Sequence, residues 1–197
     1  MRYFTSDPHF FHTNIIHHCD RPFADAQEMN QAIIDVWNDT VTDEDEVWLL
    51  GDLSMGKVAD TLDIISDLPG TKILIAGNHD ACWKRGKLKE TATQRYLDAG
   101  FSRVETFAKT TVGRWEVNVS HFPYEGDSHH EDRYSEVRPK RDGRWLLHGH
   151  VHDIWRVNGS QINCGLDAWG GRFVTDEDIV EIMSNGTNQQ LPAIRWT

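Results

Sequence analysis

Cysteine is scarce and unpatterned in this 197-residue chain: Cys19, Cys82 and Cys164 are odd in number, far apart and free of any C-x-x-C spacing. That argues against a disulfide framework and for a reducing compartment. Basic residues are also few, 20 Lys and Arg against 31 Asp and Glu, which leaves a net charge of −11. Such a balance disfavours stable binding to nucleic acid, which needs clustered cations against phosphates. No apolar run approaches the roughly 18 residues a membrane span requires, and Met1 to Asp7 turns polar too early for a signal peptide. No internal repeat, low-complexity tract or linker divides the chain, so residues 1–197 read as one domain. Together these absences predict a cytoplasmic globular protein without a membrane partner; oligomeric state is left open.

What the chain does contain is a surplus of metal-type ligands. Five short clusters carry them: Asp7-Pro8-His9, Gly51-Asp52, Gly77-Asn78-His79-Asp80, Ser120-His121 and His148-Gly149-His150-Val151-His152. Each follows a short apolar run, namely Arg2–Thr5, 46–50, 72–76, 116–119 and 145–147. Runs such as Val47-Trp48-Leu49-Leu50 barely alternate, as expected of strands covered on both faces. Helical spacing over 26–36 and 58–68, the second stopped by Pro69-Gly70, supplies a strand–helix–strand rhythm and predicts a largely parallel first sheet. After Gly100 the pattern is strand-rich, with a hairpin expected at Asn158-Gly159 and a last helix opening on a Thr175/Asp178 capping box. In open α/β sheets, loops beyond the carboxyl ends of strands converge on one edge. The five clusters can therefore meet there. Their mixed oxygen and nitrogen set offers more ligands than one ion uses and suits a pair of divalent cations. Two such ions would make the site locally positive, so an anionic substrate is compatible with an acidic protein.

The order D-x-H, G-D, G-N-H-D, H and G-H-x-H, running from Asp7 to His152, resembles the calcineurin-like metallophosphoesterase superfamily. His9-Phe10-Phe11-His12-x-Asn14-Ile15 and Arg21-Pro22-Phe23 look like its small bacterial and phage branch. The resemblance implies an α/β fold, a four-layer α/β/β/α sandwich of two mixed sheets flanked by helices. It assigns Asp7, His9 and His152 to one metal and Asn78, His121 and His150 to the other, with Asp52 bridging. Mn²⁺ leads as the cofactor, with Fe, Zn²⁺, Co²⁺ or Ni²⁺ as alternatives. The implied reaction is direct hydrolysis: a metal-bridging hydroxide attacks phosphorus, and His79 acts as general acid on the leaving oxygen. Asp80 is expected to orient the His79 ring, and Asn78 and His79 to touch the substrate.

One departure narrows the substrate. Protein phosphatases of the superfamily carry an arginine soon after G-D, whereas this segment reads Gly51-Asp52-Leu53-Ser54-Met55-Gly56. The loss of that clamp favours a small phosphodiester, such as a 2′,3′- or 3′,5′-cyclic nucleotide, over a dianionic monoester. A phosphomonoesterase, a dinucleoside-polyphosphate hydrolase, a nuclease and a non-catalytic metal-binding scaffold are the competing readings. Outside the seven ligands, His17-His18 and His129-His130 read as solvated, and His148 as a core residue supporting the site. His12 and Asn14 could reach substrate, although Asn14 could equally cap a helix. Arg21 reads as a phosphate cation or a surface ion pair. Trp169 could stack on a base, but packing is the stronger reading.

Overall fold

The computed structural model describes residues 1–129, 131 and 133–196; His130 therefore lies outside the described residues. The chain runs β1 (Arg2–Thr5), α1 (Thr13–His18), α2 (Ala26–Thr40), β2 (Glu46–Leu49), α3 (Val58–Asp67), β3 (Thr71–Ile75), β4 (Trp83–Lys84) and β5 (Lys87–Leu88). It continues with α4 (Glu90–Asp98), β6 (Phe101–Glu105), β7 (Phe107–Val112), β8 (Trp115–Ser120), β9 (Trp145–His148), β10 (Val157–Asn158) and β11 (Gln161–Asn163). A 3₁₀ turn (Leu166–Ala168), β12 (Val174–Thr175), α5 (Asp176–Ser184) and β13 (Gln190–Leu191) complete it.

This is an α/β fold with mixed sheets. The first sheet has the order β12-β1-β2-β3-β6; its β1, β2, β3 and β6 are parallel and only β12 is antiparallel. The second, β13-β10-β11-β9-β8-β7, pairs β8 with β9 and β9 with β11 in parallel and its other neighbours antiparallel. The non-alternating runs have the reason expected of them. Val47, Leu49 and Leu74 pack with Met29, Ile33 and Trp37 of α2 and Leu62 and Ile65 of α3. Their neighbours Trp48, Leu50, Ile73 and Ile75 turn the other way, onto Val117, Val119, Leu147 and Ile162 of the second sheet. Both faces of the first sheet are thus buried in apolar contact.

Local signals set the element ends. Asp25 caps α2, its carboxylate accepting the Gln27 and Glu28 amides at 2.8 and 2.9 Å, and α2 continues past Val36 because Trp37 extends the buried stripe. The α5 capping box of Thr175 and Asp178 is formed in both directions. The hairpin pairs Asn158 with Gln161 as expected. On the outward face of the second sheet the buried side chains are polar and are met by loops. Asn118 Nδ2 donates to Tyr124 Oη (2.8 Å) and Asp142 Oδ1 (2.9 Å), and Asn163 Nδ2 to the His152 and Trp155 carbonyls (2.7 and 2.9 Å). The connections after β8 and β9 are thereby pinned beside the ends of β1, β2 and β3. Helix α4 and the β4–β5 hairpin have no counterpart in the sequence reading, because their apolar residues are sparse and partly exposed.

Candidate metal centre

All five ligand clusters lie just past the carboxyl ends of parallel strands, and the loops continue the pairing of the sheet beneath. The Asp7 amide donates to Gly51 O (3.0 Å), and the His9 and Phe10 amides to Asp52 O (3.2 Å) and Leu53 O (3.0 Å). Aiming the side chains inward forces unusual backbone. Asp7, His9, Asp52, His150 and His152 have φ of 56, 52, 54, 71 and 49°. Non-glycine residues in this left-handed region are uncommon and collect at functional sites. The glycines leave room for the same convergence: a Cβ on Gly149 would overlap Ser6 Oγ and Asp7 Oδ2, and one on Gly51 would sit 2.6 Å from His121 Nδ1.

Among the described residues three trios could hold a metal ion: Asp7/His9/His152 and Asp52/His121/His150 at the strand ends, and Cys19/His152/Asp167, which shares His152 with the first. His121 Nε2 lies 3.4 Å from Asp52 Oδ2 and 3.1 Å from Asn78 Oδ1. His9 Nε2 stands 3.8 Å from both Asp7 Oδ1 and Asp52 Oδ2, so Asp52 faces both groups. The donor set fits cations on a direct observation: Asp7 Oδ1 and both ring nitrogens of His9 are buried without any hydrogen-bond partner. Buried polar atoms are rarely left so. Two of the imidazoles are also presented with one nitrogen engaged: His121 Nδ1 sits 2.7 Å from Leu50 O, and His152 Nδ1 3.1 Å from Asp167 Oδ2. Such outer partners orient a metal-binding imidazole and leave its other nitrogen for the ion. His150 Nε2, 3.3 Å from Asp127 Oδ2, makes no hydrogen bond and joins the unpartnered atoms.

The electrostatics are those of a site missing positive charge. Burial pushes the Asp7 carboxyl up. Burial also drives His9 well below its usual range and His150 down to about 3, which keeps both rings in the neutral, metal-ligating form. At Asp52 burial opposes the charge, yet His121, His9 and His79 hold its carboxyl well below the usual range. Burial likewise opposes a charged His121, but Asp52 raises it to about 9.

Several sequence readings change. Asp80 does not contact the His79 ring. Its buried carboxylate instead accepts the amides of Gly77 (2.7 Å), Asp52 (3.0 Å) and Leu53 (3.0 Å), clamping two ligand loops together. Burial and the nearby Asp52 charge raise it to about 7 against the Gly77 and Leu53 amides. The His79 side chain is 36 % exposed, with Nε2 3.9 Å from Asp52 Oδ2, and its own amide donates to Asp52 Oδ1 at 2.8 Å. Arg21 is neither a surface residue nor a phosphate ligand. It is buried, forms a two-pronged pair with Asp167 (2.7 and 2.8 Å), and donates to the Asp7 and Pro8 carbonyls (2.8 and 2.9 Å). Asn14 does not cap α1, whose N-cap is His12 without a side-chain bond. His148 is fully buried with Nδ1 on Gly149 O but Nε2 unpartnered, and Trp169 is packed in the core.

A cavity of about 930 Å³ opens over the trios. His9, Asp52, Asn78, His79, His150 and His152 line it, joined by His12, Asn14 and His18. The polar connection after β8 adds Asp127, Ser128, His129 and Arg133 to the wall, so it is part of the site and not only a neighbour of it. Asp127, Arg133 and Asp167 escaped the sequence reading. Asp167 did carry a signal, a carboxylate soon after the strand 161–163 and Gly165; Asp127 and Arg133 sit in a polar stretch with no periodic cue.

No family model matches the chain. Among characterised folds, a protein of unknown function from Aquifex aeolicus superposes with a TM-score of 0.68 and 26% identity, over 93% of this chain and 99% of its own. An archaeal phosphodiesterase superposes only weakly, TM-score 0.45 and 17% identity over 83% and 82% of the two chains, too distant to decide anything. In sequence, the gene 66 protein of Mycobacterium phage L5 is 35% identical over 93% of this chain and 94% of its own length. That of phage D29 is 36% identical over 89% and 92%. With two relatives matched from end to end at this identity, the chain belongs to the family of the mycobacteriophage gene 66 proteins.

Proposed function

We propose that this chain, residues 1–197 as one domain, is a dimetal-dependent phosphoesterase of the calcineurin-like metallophosphoesterase superfamily, acting on small phosphodiesters. The observation that carries this reading is the convergence of Asp7, His9, Asp52, Asn78, His121, His150 and His152 at one strand edge, with buried ligand atoms left unpartnered. The trio Asp7/His9/His152 supports one ligand group of the resemblance, and Asp52/His121/His150, with Asn78 Oδ1 3.1 Å from His121 Nε2, supports the other. Helices packed on one face of the first sheet and a second sheet on its other face support three of the four layers of that superfamily's sandwich, while loops meet the outer face of the second sheet.

Two divalent cations bound there, Mn²⁺ foremost, would neutralise phosphoryl oxygens and acidify a water. The chain's own residues do the rest. Asn78, whose Oδ1 faces His121, has its amide nitrogen to donate to a phosphate oxygen. His79 stands in the cavity wall, partly exposed and with Nε2 3.9 Å from Asp52 Oδ2, and donates a proton to the leaving oxygen. Asp80 fixes the loops that carry Asp52 and Asn78. The exposed apolar side chains Met55 and Ile154 on the cavity wall suit the organic part of a nucleotide, and cyclic nucleotides are the proposed substrates. A cytoplasmic location is part of the same proposal, and the three unpaired cysteines are compatible with it.

The test is a substrate panel with the Mn²⁺-loaded protein: bis(p-nitrophenyl) phosphate, cyclic nucleotides and p-nitrophenyl phosphate, each with wild type and Asp52→Asn. Faster turnover of diesters, lost in the variant, is the expected result. Turnover of the monoester alone would move the substrate to monoesters, and metal binding without hydrolysis of any ester would make the protein a scaffold.

A further inference from the structure

We propose that Arg133 is the phosphate clamp of this cavity, supplying from the connection after β8 the cation that the Gly51–Gly56 segment lacks. The proposal rests on the phosphoesterase reading above for the identity of the anion, but its geometry is independent of it. Among the described residues lining the cavity, Arg133 is the only lysine or arginine. Arg21, the other guanidinium near the ligand loops, has Nε, Nη1 and Nη2 all committed to Asp167 and to backbone carbonyls.

Arg133 is anchored on one edge and open on the other. Its Nε and Nη2 donate to Asp127 Oδ1 at 3.2 and 2.8 Å, and Nη2 also reaches Ser128 Oγ at 3.3 Å. The Arg133 backbone amide donates to Asp127 Oδ2 at 3.0 Å. Nη1 makes no hydrogen bond among the described residues, and the side chain is 36 % exposed. The anchor itself is buried, with the Asp127 side chain 1 % exposed. Arg138 also lies 3.6 Å from Asp127 Oδ2, so two guanidinium groups approach one carboxylate. On a protein of net charge −11, whose described cavity wall also carries Asp52, Asp127 and Asp153, the Arg133 guanidinium is a localised attraction for an anion.

The same Asp127 lies 3.3 Å from His150 Nε2. One carboxylate therefore sets the guanidinium and a candidate metal ligand at a fixed spacing, as a clamp on a reacting phosphoryl group requires. A planar fork with a free edge matches phosphate oxygens better than an ammonium does. A single, partly neutralised guanidinium suits the one negative charge of a phosphodiester.

The experiment compares wild type, Arg133→Gln and Arg133→Lys, all loaded with Mn²⁺. Calorimetry reads inorganic phosphate binding and Mn²⁺ binding separately, and steady-state kinetics on bis(p-nitrophenyl) phosphate reads KM and kcat. Loss of a charge-assisted contact predicts phosphate binding weakened about 10–100-fold in Arg133→Gln. KM should rise with it while kcat changes far less, Mn²⁺ binding stays intact, and Arg133→Lys recovers part of the loss. Unchanged phosphate affinity in Arg133→Gln overturns the proposal. So does a loss matched by an equal loss of Mn²⁺ affinity, which would place Arg133 behind Asp127 and His150 as a support only. A Mn²⁺-loaded wild type that binds no phosphate overturns it as well. Phosphate binding without hydrolysis of any ester would refute the phosphoesterase reading and leave the clamp standing.

Discussion

Replacing Asp167 by Asn keeps the shape of a buried side chain and removes its charge. In the native protein that carboxylate, 2 % exposed, accepts Arg21 Nε (2.7 Å) and Nη2 (2.8 Å) and Trp196 Nε1 (2.9 Å), with His152 Nδ1 at 3.1 Å. The neutral amide strands the buried Arg21 guanidinium, and breaking a buried pair by removing one partner costs about 3–5 kcal/mol. At about 2–4 °C per kcal/mol for a chain of this size, Tm should fall by about 6–20 °C. His152 also loses the partner that orients it, so Mn²⁺ affinity should drop about 10–100-fold. The pH dependence gives an internal control. Burial opposes the Asp167 charge, but Arg21 and His152 hold its carboxyl far below the usual range. A carboxylate with a depressed pKa contributes its full stability above the unfolded value of about 3.9 and loses it only in stronger acid. The carboxylate's own part of the gap between wild type and variant should therefore be flat from neutral pH down to about pH 5. Because Asp167 also raises His152 against the opposing effect of burial, the whole gap should widen as pH falls toward about 6.5, where that raised histidine reaches its full contribution. Urea unfolding at several pH values and Mn²⁺ calorimetry measure both effects. If the variant folds too poorly, Arg21→Met with Asp167→Leu should cost less than the two single changes added together. A stability loss below about 1 kcal/mol, with Mn²⁺ affinity unchanged, would refute the reasoning.

Two further outcomes are expected. Burial pushes His148 down to about 3; a histidine with a lowered folded pKa keeps its contribution above the unfolded value and loses it as pH falls through that value toward the folded one. Stability should then decline below about pH 6.5, and His148→Phe, which preserves the ring contact with Trp155, should reduce the slope by up to about 1.4 kcal/mol per pH unit in acid titrations followed by circular dichroism. Gly149→Ala should keep the secondary structure but cost about 1–3 kcal/mol and weaken Mn²⁺ binding, because its Cβ must displace Ser6 or Asp7; a variant that binds Mn²⁺ like wild type would remove the argument for close approach at that turn.

The first sheet was legible in the sequence because parallel strands buried on both faces read as unbroken apolar runs, and α2, α3 and α5 because their apolar spacing and end signals agree. The candidate ligands were legible for a related reason: each follows such a run, so strand ends and side-chain chemistry mark the same positions. Roles that depend on which neighbour a side chain faces were not legible. Asp80 adjoins His79 in the chain, yet the turn directs its carboxylate to the amides of Gly77, Asp52 and Leu53. Arg21 reads as a solvent or phosphate cation until burial against Asp167, 146 residues away, consumes its donors. Arg133 lies in an aperiodic polar stretch, and only the packing of that stretch over the strand ends brings it to the cavity. The chain's own pattern thus determined the strands of the first sheet, helices α2, α3 and α5 and the candidate ligands, since these follow from local periodicity and residue type. Tertiary structure alone decided which atoms are left unpartnered, which imidazole nitrogen faces inward and which cation is open to an anion, because these are set by contacts between segments far apart in sequence.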